Sequence, residues 1–104
     1  MPAPHVIRLR EPWEAEPTDK GGMRYRRRFG WAAELSPEDR VFLAMDATLD
    51  QVQVQVNGVS LPVAGPHDMP ARFEITSLLQ PRNEAVIETA EGRPDNVRLE
   101  IPTG

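Results

Sequence analysis

Apolar and polar residues alternate with a period of two along much of this chain. The clearest case runs from Gln51 to Val56, where Val52, Val54 and Val56 interleave with Gln51, Gln53 and Gln55. Successive strand side chains point to opposite faces, so this run predicts a strand with one face in a core. Asn57-Gly58 follows, a pair that tolerates φ > 0 at both positions and suits a tight hairpin of the I′ type. Val59 to Val63 then reads as the short return strand. The preceding run has another character: Val41, Leu43, Met45 and Ala47 share one face, while Phe42 and Ala44 occupy the other. Apolar residues on both faces predict a strand in the middle of a sheet, covered on both sides. A short acidic turn joins the two runs. An uncharged Gln/Val alternation at an open edge would invite aggregation, so pairing on both its sides is expected.

The same period recurs outside this centre. His5 to Arg10 reads as a first strand, with Ile7 and Leu9 opposite Arg8 and Arg10, and the stretch from Glu11 to Gly22 reads as a strand end and a polar loop. Met23 to Leu35 predicts a long strand in which Met23, Tyr25, Phe29, Trp31 and Ala33 share a parity. Arg27 interrupts that face, which implies either a bulge or an end lying outside the core. Ser36-Pro37-Glu38-Asp39 is a turn, and Ala64 to Pro70 (AGPHDMP) is an irregular loop. Phe73 and Ile75 point inward from Arg72 to Thr76. Thr76 to Pro81 forms one helical turn stopped by proline, with Leu78 or Leu79 plugging the end of the core. Asn83 to Ala90 gives another strand, and Val97, Leu99 and Ile101 alternate with Arg98 and Glu100 in the last. Eleven prolines and seven glycines leave room for strands and almost none for a helix longer than two turns. The expectation is an all-β chain of about eight strands, a β-sandwich or jelly roll, forming a single domain over residues 1–104.

Composition removes several function classes. With no cysteine there is no disulfide, thiolate metal site or Cys nucleophile. A net charge of −4 argues against general nucleic-acid affinity. The start of the chain, MPAPHVIRLR, lacks the apolar core of a signal peptide, and no stretch approaches a membrane span, so a cytoplasmic protein without a membrane partner is expected.

Candidate chemistry is sparse. Arg24, Arg26 and Arg28 fall on one strand face. They form either a groove for an acidic glycan or phosphate, since guanidinium forks match such oxygens, or an ordinary solvated row paired with neighbouring carboxylates. Trp31 shares parity with Tyr25 and Phe29 and is read as core. Trp13, at a strand-to-loop junction, is either a surface on which a sugar ring stacks or a lid over one end of the sandwich. His67-Asp68 is the sole His-carboxylate pair in sequence. It offers polar groups to a ligand or is simply a polar loop, and it is too few groups for a metal site. Asp46 and Asp50 flank the turn between the central runs and are read as stabilising it. No nucleophile, base and oxyanion donors can be drawn together, so the chain is expected not to be an enzyme and to need no cofactor.

The order of these signals resembles the N-terminal sugar-binding domain of glycoside hydrolase family 2, the β-galactosidase and β-glucuronidase family. Tyr25, Arg26, Arg27 and Phe29 match its Tyr-Arg-Arg-x-Phe strand, and Asn57-Gly58 matches the end of a later one. Ile75, Thr76, Leu78 and Leu79 match its Thr-x-Leu-Leu turn, and Asn83 opens the strand after it. The resemblance covers residues 24–90 and extends toward Trp13. It implies a galactose-binding-like jelly roll that binds carbohydrate without catalysis. The AGPHDMP loop lacks the Gly-Gly-Tyr signature of the hydrolases, and the barrel that carries their catalytic carboxylates is absent. The ligand-binding candidates are Trp13, His67, Asp68, Arg24, Arg26 and Arg28. A structural domain that binds a protein partner or a second copy of itself is the alternative.

Overall fold

A computed structural model describes residues 5–10, 13–19, 21–31, 35, 37–46, 52–61, 71–90, 94 and 96–102. Their backbone forms nine strands in order: β1 (His5–Arg8), β2 (Glu14–Pro17), β3 (Met23–Gly30), β4 (Phe42–Met45), β5 (Val52–Val56), β6 (Val59–Ser60), β7 (Ala71–Glu74), β8 (Arg82–Thr89) and β9 (Arg98–Ile101). A single 3-10 turn, Thr76–Leu78, separates β7 from β8. No helix among these residues is long and apolar enough to cross a membrane.

The strands make a smaller sheet, β1-β9-β4-β7, and a larger one, β2-β3-β8-β5-β6. Every described pairing is antiparallel. From β3 onward the chain alternates between sheets, with only the β5-β6 hairpin kept within the larger one, which gives the expected all-β sandwich its jelly-roll character. The core is shared: Leu43, Phe73 and Leu99 come from the smaller sheet, and Phe29, Val54, Val56 and Ile87 from the larger. The 3-10 turn closes one end, with both Leu78 and Leu79 packed against the core.

The central runs behave as their patterns require, but they do not share a sheet. β4 lies between β9 and β7 in the smaller sheet, with Leu43, Ala44 and Met45 fully buried. β5 is in the larger sheet, its valines buried and its glutamines exposed. Asn57 and Gly58 both have positive φ, 53° and 81°, as the hairpin turn demands. β8 pairs the whole of β5 on one side, whereas β6 covers only Gln55 and Val56 on the other.

Three expectations are corrected and a fourth is narrowed. The polar stretch after Trp13 contains an edge strand, β2, which the sequence hides because all four of its residues are exposed and none alternates with a core position. The first strand stops at Arg8, with Ile7 37% exposed and Leu9 as its buried anchor. β3 ends at Gly30, where Trp31 N donates to Pro81 O and closes the pairing with β8. Arg27 marks no bulge, because β3 and β8 pair without interruption from Met23↔Thr89 to Gly30↔Arg82. Its guanidinium instead donates to two carbonyls, Arg10 O at 2.6 Å and Arg28 O at 2.8 Å. Gly22 is buried so closely against β8 that a Cβ there would run into the Thr89 carbonyl.

Asn83 and Asn57 fix where β8 lies. Asn83 Oδ1 accepts from Asn57 Nδ2 (3.0 Å) and Gln80 N (2.8 Å), while its Nδ2 donates to Gln80 O (2.7 Å) and Phe29 O (3.4 Å). Asn57 also donates to Leu78 O at 2.7 Å and exchanges two bonds with the Glu84 backbone. Removing the buried amide orphans its partners, each at a cost of about 1–3 kcal/mol. Asn83→Leu should therefore lower stability by about 3 kcal/mol, read as a lower urea midpoint at unchanged slope. The exposed control Gln53→Thr should stay within about 0.5 kcal/mol. Equal midpoints for both variants would show that packing, and not the amide network, holds this end.

Candidate functional site

Register places the arginine row within an ordered charge ladder. On the outer face of the larger sheet, Arg24 stands between Glu16 of β2 and Glu88 of β8, and Arg26 between Glu14 and Val86. Arg24 Nε donates to Glu88 Oε1 at 2.7 Å and its Nη1 to Glu16 Oε1 at 3.2 Å. These hydrogen bonds, led by the one to Glu88, raise the guanidinium pKa further above its already high value. Arg26 lies 3.6 Å from Glu84 and 3.9 Å from Glu16, and Arg28 lies 3.5 Å from Glu84. Of the three, Arg28 alone extends fully to solvent, with an 85% exposed side chain. The row is thus an ion-paired face, and exposed pairs of this kind contribute little stability each.

Trp13 precedes β2 and packs, half-buried, against the core. Its Nε1 donates to Leu9 O at 3.1 Å, which fixes the ring across the chain between β1 and β2. Trp31 also packs on the core, with a buried Nε1 that has no hydrogen-bond partner among the described residues. Both rings are thus partly engaged by the core. His67, Asp68 and Asp50 lie outside the described residues. The structure therefore brings Arg24, Arg26 and Arg28 together and leaves Trp13 in a separate region that packs on the core.

A second charged cluster lies on the outer face of the smaller sheet, where the sequence suggested only an alternating last strand. Arg98 Nε donates to Glu100 Oε2 at 2.8 Å and its Nη1 to Asp46 Oδ1 at 3.0 Å. Arg72 Nε reaches Glu100 Oε1 at 2.7 Å, and Asn96 Nδ2 reaches Asp46 Oδ2 at 2.8 Å. Glu100 and Arg98 have side chains only 12% and 11% exposed. Ala44, flanked by Arg72 and Arg98, is fully buried, so the arginine stems serve as its cover. Asp46 is therefore held by Asn96 and Arg98 and not merely by a local turn. Its carboxyl is lowered below the ordinary range by the Asn96 hydrogen bond first and the Arg98 bond second. For Glu100, burial alone favours the neutral acid, but hydrogen bonds from Arg72 and Arg98 outweigh it and lower the pKa. Sequence could not join these groups, because apart from neighbouring Arg98 and Glu100 the partners lie 28 to 52 residues apart. Among the described residues, no group of three or more His, Asp and Glu could hold a metal ion.

Compared with known proteins, the chain matches no family model and no curated protein sequence. Solved structures do match. An FMN-binding β-glucuronidase from Facaelibacterium prausnitzii L2-6 aligns with TM-score 0.76 and 18% identity over 95% of this chain and 22% of that one. A Bifidobacterium dentium β-glucuronidase, complexed with coumarin-3-O-glucuronide, aligns at TM-score 0.70 and 18% identity over 84% of this chain and 20% of its own. A rhamnosidase from Novosphingobium sp. PP1Y aligns at 0.64 and 20%, over 79% and 11%. The fold is that of a sandwich domain found in glycoside hydrolases. This glycosidase-type sandwich spans about a fifth of the length of the two glucuronidases.

The sign of the Glu100 shift sets a pH window. A carboxylate lowered in the folded state contributes fully above its unfolded value near 4.3, and that contribution is lost as pH falls below it. Glu100→Gln should cost about 2 kcal/mol at pH 7, because it leaves Arg98 and Arg72 poorly compensated. It should also flatten the fall in stability as pH drops below about 4.3. Urea midpoints across that range measure both effects, and an acid limb as steep as that of the unmodified protein would remove Glu100 as its source.

Proposed function

We propose that this glycosidase-type sandwich is a non-catalytic binding module whose ligand is carbohydrate. The observation that carries this reading is the alignment itself: almost the whole chain superposes on about a fifth of a glucuronidase, a portion far shorter than that enzyme. The carboxylates set into the sheet faces support the absence of catalysis. Glu84, Glu88, Glu100 and Asp46 are each ion-paired with arginine, whereas glycoside hydrolysis needs one carboxyl kept protonated and another free to act as nucleophile or base.

A specific observation favours the second reading, a structural or protein-interaction domain without a sugar ligand. The Trp13 indole is packed on the core with its N–H committed to Leu9, and the arginine row is neutralised by glutamates. Both groups then serve the sandwich first.

A glycan array carrying neutral and acidic sugars, probed with the unmodified protein and with Trp13→Ala, separates the two. Selective binding lost in a variant that still melts cooperatively supports carbohydrate recognition at the Trp13 end. Binding confined to acidic glycans, weakened by salt and kept by the variant, moves recognition to arginines. A blank array overturns the carbohydrate reading and leaves the interaction domain, for which light scattering over a concentration series gives the self-association.

A further inference from the structure

The first strand carries its charges differently from the rest of the molecule. β1 pairs β9 with Val6 opposite Glu100 and Arg8 opposite Arg98, and the Leu9 N to Val97 O bond (2.9 Å) continues the ladder so that Arg10 comes opposite Asn96. Val6, Arg8, Arg10, Asn96 and Arg98 line one shallow cleft of about 640 Å³ on this outer face. Arg98 is committed to Asp46 and Glu100, but Arg8 and Arg10 are exposed and form no ion pair among the described residues. Asp46 and Glu100 already balance Arg98, so the charge left uncompensated across this ladder is that of Arg8. The described face carries five arginines, Arg8, Arg10, Arg40, Arg72 and Arg98, against three paired carboxylates, Asp46, Glu74 and Glu100. It is therefore locally positive on a chain whose net charge is −4.

The backbone that presents these arginines is also held in place. Leu9 N is bonded to Val97 O, Leu9 O accepts from Trp13 Nε1, and Arg10 O accepts from Arg27 Nε at 2.6 Å. Trp13 and Arg27 both anchor the two residues leading out of β1. With the backbone anchored, binding has only the side-chain freedom of the two arginines left to restrict.

We infer that the cleft of Val6, Arg8, Arg10, Asn96 and Arg98 binds the anionic group of a ligand, a carboxylate or a phosphate. Arg8 and Arg10 supply the charge, Asn96 and Arg98 form the floor, and Val6, 42% exposed, offers an apolar contact to whatever bears the group. The cleft can take that group from an acidic sugar or as free phosphate, and it stands whether or not neutral carbohydrate binds elsewhere.

Amide and arginine Nε–H NMR shifts, followed during titration with inorganic phosphate and separately with glucuronic acid at constant ionic strength, test this. Saturable shifts at Arg8, Arg10, Asn96 and Arg98 are expected in at least one arm, and the arm that saturates identifies the group. Arg8→Gln and Arg10→Gln should each weaken that binding about tenfold. Arg82→Gln, another exposed arginine with no ion pair among the described residues, should leave it unchanged. The Arg8 variant should melt no lower than the unmodified protein, since it removes no ion pair among the described residues. Linear shifts in both arms, or equal losses in the Arg82 variant, would overturn the assignment and leave general charge screening.

Discussion

Asn83 sits at the start of β8, buried, with all four hydrogen-bonding positions of its amide engaged. Its partners belong to β3, to the segment after the 3-10 turn and, through Asn57, to the hairpin that ends β5. The backbone of Glu84, the next residue, is clamped by Asn57 from the other side. These contacts pin the register of three neighbouring strands at one end. Because the strand period is two, a slip of one residue would turn Ala85 and Ile87 to solvent and carry Glu84, Val86 and Glu88 inward. The large sheet therefore depends on one buried amide network more than on any single apolar contact. A network with no orphaned member is the case in which buried polarity specifies one structure.

With register fixed, the charge ladder follows. Glu16, Arg24, Glu88 and Gln53 fall in one line across four strands, and Glu14, Arg26, Val86 and Gln55 in the next. Opposite charges directly across a ladder favour the correct alignment and penalise shifted ones. The worth of that arrangement is specificity, since exposed pairs add little stability. The edge strand β2 exists on the same terms. It buries nothing, and its glutamates answer the arginines of β3.

This explains which parts of the molecule were legible from sequence. The Val/Gln run, the two-faced β4 and the Asn-Gly turn each carry their cause locally, in a period or in two residues that accept positive φ. β2 was hidden because its pattern answers to a neighbour's charges and not to a core. The part Arg27 plays is hidden for a similar reason: it holds the carbonyl of Arg10, a partner 17 residues away that no local period reveals. The Asp46–Arg98–Glu100–Arg72 network was invisible because it joins β4, β7 and β9. Trp13 and the arginine row stand out in the sequence, but unusual composition alone does not separate a ligand surface from a structural one.

The motifs that carried the family resemblance prove to be architectural in this chain. Asn57 and Asn83 set register, Thr76 Oγ1 accepts from Val41 N at 2.9 Å to join the 3-10 turn to the start of β4, and Leu78 and Leu79 cap the core. Tyr25 and Phe29 face inward, and Arg26 is ion-paired. A sequence can keep every one of these and still change what it binds, since none need touch a ligand. On the proposed reading as a binding module, specificity would reside in groups that the fold does not use for itself. On the described surface, Arg8 and Arg10 satisfy that criterion, being charged, exposed, unpaired and held on an anchored backbone. The residues least informative about the fold are, for that reason, the ones most free to determine function.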